Sequence, residues 1–165
     1  MKKQYPLLLA AGLMLLVHAL FSTAPLTRLL QMPSGALAAL GIGCPVSFSA
    51  DMVHIHARPE LTVSNACSGV RLFAILVGLG GGYWCGRHPR RWLALLPLAY
   101  GVTLFSNSVR IVMVWHFRRI FESVLPEWLH EFAHLGIGTV WSLTIIAALL
   151  YASSRPPKPL KETNP

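Results

Sequence analysis

The chain has 165 residues, enough for one domain, and it is 54% apolar with only 12% charged residues. An average soluble domain carries about 25% charged residues, so this composition argues against an ordinary soluble protein. The net charge of +8 would suit a nucleic-acid partner, but no RNA- or DNA-binding motif accompanies it. An excess of Lys and Arg in the cytoplasmic loops of a membrane protein accounts for it better.

A bilayer core needs about 20 mostly apolar residues per helix. Four stretches approach or meet that length: Pro6–Phe21, Gly69–Gly86, Trp92–Trp115 and His134–Ala152. The expected fold is therefore all-α, an integral membrane bundle of about four transmembrane helices in one domain over residues 1–152. Outer loops are expected at 22–67 and 116–133, and a disordered, proline-rich cytoplasmic tail at 153–165. The first span has a basic start and a small-residue run, Ser22-Thr23-Ala24, as a signal peptide would. Pro25 directly after it opposes cleavage, so a retained anchor is expected. In the long outer loop, Gly35–Gly43 reads as a short apolar stretch at the membrane surface. Val53–Val63 alternates in part: Val53, Ile55 and Ala57 share one parity, and His54, His56 and Arg58 the other. That pattern predicts a strand pair or an extended segment, making the outer loop partly structured. Gly78, Gly80, Gly81 and Gly82 fall inside an apolar span and predict close helix packing.

Loop charge orients the spans. Lys2, Lys3, Arg87, Arg90, Arg91, Arg155, Lys158 and Lys161 all fall on one side of an even-numbered bundle. The opposite side holds Arg28, Arg58, Arg118 and Arg119 with five of the six acids, Asp51, Glu60, Glu122, Glu127 and Glu131. The positive-inside rule places both termini in the cytoplasm and the acid-bearing loops outside an inner (cytoplasmic) membrane.

The candidate chemistry lies where loops meet helices. Cys67 follows Ser64 and Asn65, either of which suits a helix N-cap, so Cys67 is expected in the first turn of the second span. A helix N-terminus favours the nucleophilic thiolate, and Arg71, four residues on, would add its charge on the same face. The alternatives are a buried structural thiol, or a disulfide with Cys44. Arg110 lies inside the third span near its outer end, sharing a face with Ser106 and Asn107. An ionisable residue inside a span is a functional candidate by default, with snorkelling as its alternative. His134 begins the fourth span, in a helix expected to start near Pro126, and Gly136 and Gly138 after it permit close backbone approach. The topology sets thiol, guanidinium and imidazole at one depth on the outer face. A thiol with an imidazole partner suits acyl transfer, and a guanidinium can hold an oxyanion or a substrate carbonyl.

Three blocks, Ala66-Cys67-Ser68-Gly69-Val70-Arg71, Asn107-Ser108-Val109-Arg110-Ile111 and His134 with Gly138, resemble in order and placement the signatures of the exosortases and archaeosortases. The resemblance spans roughly Leu61–Trp141 of a chain shorter than the larger members. It implies a membrane cysteine protease or transpeptidase, with Cys67 as nucleophile and Arg110 and His134 as partners. It implies as substrates exported proteins ending in a short sorting motif, a transmembrane helix and a basic cluster. Arg71, Asn107, Ser106, Gly69 and Gly138 are the supporting candidates; membrane lipid surrounds the chain, and no cofactor, metal or nucleic acid is expected. Two rival readings are carried forward. His130-Glu131-Phe132-Ala133-His134 fits the H-E-x-x-H pattern of zinc metalloproteases, with Asp51, His54, His56 or Glu122 as the further ligand. A non-enzymatic assembly or transport subunit is the other, although the polar residues gather at the outer face and not at mid-membrane.

Overall fold

The computed structural model describes residues 5–64, 67–85, 89–121, 124 and 126–154. Five α-helices dominate it: α1 (Tyr5–Phe21), α2 (Ala24–Ile42), α3 (Val70–Leu79), α4 (Pro89–Phe121) and α5 (Glu127–Ser154). Three short strands, β1 (Val46–Phe48), β2 (Val53–Ile55) and β3 (Leu61–Val63), separate α2 from α3. A π-helical segment, Gly80–Cys85, continues α3.

Apolar helices occupy all four stretches marked in the sequence, but they differ in reach. Among the described residues, Arg90–Phe121 alone is long and apolar enough to cross a membrane by itself. Pro6–Phe21 and Pro25–Ile42 meet the same criterion only as a pair bent by 85°, while Val70–Gly82 and Gly136–Ala148 are shorter apolar helices. At 1.5 Å per residue α4 is roughly 50 Å long, against about 30 Å of hydrocarbon. It continues past Trp115 through Arg118 and Arg119 to Phe121, so part of the expected second outer loop is helix. The helix expected from Pro126 is present as α5, which runs to Ser154; the tail beyond it lies outside the described residues.

The largest departure is in the first outer loop, where α2 is a 19-residue helix. Its sequence hides it, because Pro25, Pro33 and the Ser34-Gly35 pair interrupt the apolar pattern. Pro25 sits in the first turn, where a missing N–H is harmless. Pro33 lies inside the helix and cannot donate to the carbonyl one turn back, that of Leu29. The Tyr100 hydroxyl of α4 donates to that carbonyl at 2.7 Å. The Ser108 hydroxyl of α4 lies 2.7 Å from the Leu104 carbonyl of its own helix and 3.0 Å from the Ser34 carbonyl of α2, between which its one proton is shared. Tyr100 thus restores what Pro33 withholds. Leu30, Gln31, Ser34, Ala38 and Ala39 form the buried face, and Gly43, in the left-handed conformation at φ 76°, ends the helix.

The strands form an antiparallel sheet in the order β1-β2-β3. The alternation read in the sequence is realised: Val53, Ile55, Ala57, Leu61 and Val63 are buried, packing with Ala38 and Ala39 of α2 and Ile111 and Trp115 of α4. His56 and Arg58 are exposed and His54 half-buried. The strand β1 had no signal in the sequence. A second apolar cluster joins Leu30, Phe73, Leu76, Val77 and Ala99 deeper among the helices. The glycine stretch packs closely as expected: a Cβ on Gly78 would stand 2.8 Å from the Ala10 carbonyl oxygen of α1. Outward, Leu8, Leu15, Leu16, Leu93, Leu98, Phe105 and Leu143 are exposed, an apolar surface suited to lipid and too extensive for a soluble monomer.

Tyr100→Phe removes the donor that serves the Leu29 carbonyl and should destabilise the chain by about 1 kcal/mol in detergent thermal unfolding. Pro33→Ala returns the helix's own N–H, so Tyr100→Phe should be much milder in that background. Equal losses in both backgrounds would refute the compensation.

Candidate active site

The thiol stands in a 3-10 turn that precedes α3. The Cys67 amide donates to the Ser64 carbonyl at 2.9 Å, closing a tight turn. The N-cap of α3 is Gly69, in the left-handed conformation at φ 83°, and the helix begins at Val70. The expected cap at Ser64 or Asn65 is therefore corrected, and Asn65 itself lies outside the described residues. Cys67 precedes the helix, so the macrodipole argument weakens and the four-residue spacing to Arg71 no longer implies a shared face. Arg71 is exposed. Ser68 caps locally, with its hydroxyl 3.4 Å from the Val70 amide.

The turn is held by α4. Asn107 donates from Nδ2 to the Cys67 carbonyl at 2.7 Å, and Arg110 donates from Nη2 to the same oxygen at 3.3 Å. Arg110 Nε is buried and has no hydrogen-bond partner among the described residues. Gly69 permits this approach, because a Cβ there would lie 3.0 Å from Thr103 Cγ2 and 3.4 Å from Asn107 Cβ. Cys67 also borders the apolar cluster beneath the sheet, as does Cys44, and the two are not joined in a disulfide.

From the other side α5 reaches Arg110 at Gly138, where a Cβ would stand 3.4 Å from both Cδ and Nη1 of the arginine. The absent side chain makes room for the guanidinium. Ser106 keeps its i, i+4 spacing to Arg110 along the continuous helix α4. It is buried and accepts the Trp141 indole N–H at 2.7 Å on its hydroxyl and 3.0 Å on its carbonyl. It joins α4 to α5. His134 is in α5, one turn before Gly138. Its side chain, with those of His130 and Glu131, lies outside the described residues, as does Glu122. Asp51, His54 and His56 are committed elsewhere: Asp51 pairs with Arg28 at 3.3 Å, His54 lies near Thr62, and His56 meets Ser47 and Glu60.

One supporting residue had no signal in the sequence. Gln31 of α2, fully buried, donates to the Val63 carbonyl at 2.7 Å and to the Asp51 carbonyl at 3.0 Å. It anchors the strand that leads into the Cys67 turn. An amide in a proline-broken segment carries no periodicity by which to find it.

A helical chain with apolar outward faces, around a cysteine turn clamped by a half-buried arginine, has the architecture of a membrane protein. The model of the transmembrane exosortase family (EpsH type) matches residues 3–151, and the chain belongs to that family. No curated protein and no solved structure matches it.

Gly69→Ala forces a left-handed residue with a Cβ and should lower stability by about 1–2 kcal/mol, with a further steric cost against Thr103. Adding Thr103→Ser removes the opposed methyl group and should recover the steric part only. Chemical denaturation of the two variants separates the shares.

Proposed function

We propose that the chain is a membrane cysteine transpeptidase or protease that cleaves a C-terminal sorting signal of exported proteins, with Cys67 as nucleophile and Arg110 and His134 as its partners. Membership of the exosortase family supports the sorting-type activity. The observation that carries the site assignment is the pair of α4 donors, Asn107 and Arg110, on the Cys67 carbonyl. It fixes the thiol beside a guanidinium that retains an N–H without a partner among the described residues. His134, one turn from the glycine that packs on Arg110, is the group proposed to move the proton.

In this reading the Cys67 thiolate attacks the carbonyl carbon of the scissile amide. The carbonyl oxygen becomes an oxyanion held by the Arg110 guanidinium, which acts where charge develops. Collapse breaks the C–N bond, the departing amine takes a proton from the His134 imidazolium, and a thioester remains on Cys67. Attack by water completes hydrolysis, and attack by an amine completes transpeptidation. The site works at the outer face of a bundle spanned by α1, α3 with its π-helical extension, α4 and α5, with both termini cytoplasmic. The sheet and its polar face are then outside, where an exported polypeptide is available.

Cys67→Ala and Cys67→Ser should abolish processing of a co-expressed tailed substrate, because nothing placed here activates a hydroxyl. Arg110→Lys should lose roughly 100-fold, since an ammonium cannot reproduce the guanidinium fork. His134→Ala should be inactive, while His130→Ala and Glu131→Gln retain most activity. In the zinc reading the pattern inverts, so an inactive Glu131→Gln beside an active Cys67→Ala would overturn the thiol mechanism.

Impermeant thiol labelling of single engineered cysteines tests the orientation. Sites in 116–133 should react from outside intact cells and sites in 87–91 should not; the reverse would sink the topology.

A further inference from the structure

Strand β3 leads directly into the Cys67 turn, and the order β1-β2-β3 leaves it at an edge of the sheet. The register decides which of its backbone groups face outward. In an antiparallel ladder, opposed residues alternate between pairs that exchange both hydrogen bonds and pairs that exchange none. Between β1 and β2, the His56 amide donates to the Pro45 carbonyl and the Ser49 amide to the Met52 carbonyl, each at 2.9 Å. Ser47 opposite His54 lies midway between them. It is therefore a bonded pair, and His54 directs its N–H and C=O to β1. Val53 and Ile55 direct theirs to β3, where they oppose Val63 and Leu61. Thr62, opposite His54, is left with its N–H and C=O turned away from the sheet.

The surroundings of Thr62 keep that edge in place and open. Leu61 and Val63 are buried in the core on either side of it, while Thr62 is exposed. Gln31 pins the Val63 carbonyl at 2.7 Å. Beyond β3 the chain turns once, through the Cys67 amide to Ser64 carbonyl bond, and arrives at the thiol. An outward donor and acceptor on one anchored residue are what an added strand bonds. We propose that the free edge of β3 at Thr62 binds the substrate polypeptide as an added extended strand, delivering its scissile amide to Cys67. The proposal rests on the thiol mechanism above. Its occupant is extended peptide, because lipid and helical chain offer no paired backbone donor and acceptor at strand spacing. The other edge, β1, lies two strands away, about 10 Å, and does not lead to the thiol.

Proline removes one N–H, and edge strands tolerate it where that N–H faces outward. Thr62→Pro therefore deletes the proposed contact and spares the β2–β3 ladder. Phe48→Pro is the matched control, since Phe48 opposes Val53 and turns its own N–H outward on β1. The full chain in phospholipid nanodiscs is treated with acetyl-trialanyl chloromethyl ketone, which carries a peptide backbone, or with iodoacetamide, which does not. Adducts on Cys67 are timed by mass spectrometry. Thr62→Pro should slow the peptidyl reagent roughly 3- to 10-fold, the value of one hydrogen bond, and leave the iodoacetamide rate unchanged. Phe48→Pro should change neither rate. An unchanged peptidyl rate in Thr62→Pro, or equal slowing of both reagents, overturns the edge proposal alone. Failure of iodoacetamide to modify Cys67 in the parent chain overturns the thiol mechanism, and this proposal with it.

Discussion

A guanidinium set among apolar helices is tolerable only if its N–H groups find acceptors, and at Arg110 the acceptor is the main-chain carbonyl of Cys67. That choice ties three elements together. The turn must come close to α4, which requires Gly69 to lack a Cβ and to take a left-handed conformation. Arg110 must also have room on its α5 side, which Gly138 gives it. Asn107 adds a shorter bond to the same oxygen, so the carbonyl is held from two positions one turn apart on α4. The thiol's placement is therefore a consequence of how the arginine is satisfied.

The same constraint shapes the rest of the chain. Irregular backbone in apolar surroundings leaves polar groups unmatched, and each must be answered by a side chain. Tyr100 answers the Leu29 carbonyl released by Pro33, and Gln31 the carbonyls of Val63 and Asp51. Both residues lie on α2 or contact it, the helix on which the sheet rests. The path from α4 to the strand before Cys67 therefore runs through specific hydrogen bonds as well as apolar contact. By contrast α5 meets the rest mainly along α4, through Trp141 on Ser106 and Gly138 at Arg110. Its other faces carry Val140 and Leu143 outward. An element attached along one seam can adjust while the clamped turn stays fixed, which suits a helix proposed to supply a mobile proton donor.

This arrangement separates two tasks. The helices provide an apolar exterior and the small-residue packing of α1 against α3. The sheet and the turn provide a polar face and a fixed thiol. Neither set of residues is adjacent in sequence, and α2 is the bracket between them.

The sequence by itself determined the composition-driven features: apolar helices at four stretches, the alternating segment that became β2 and β3, and Cys67 at the entry to a helix; Arg110, expected near an outer helix end, lies well inside α4, which runs on to Phe121. Those follow from periodicity and from the cost of charge in an apolar run, which are local properties. It also carried the three blocks that resemble the signatures of the family. Only the tertiary structure decided that the 22–67 region holds a helix, in which the carbonyl left without an N–H by Pro33 is met by a hydroxyl supplied by Tyr100, far along the chain. The same holds for the start of α3 at Gly69 and for the bond from Trp141 to Ser106. It holds also for Gln31, whose role exists only once two carbonyls distant in sequence converge on it. Each of these depends on a partner brought close by packing, and no window of neighbouring residues contains that partner.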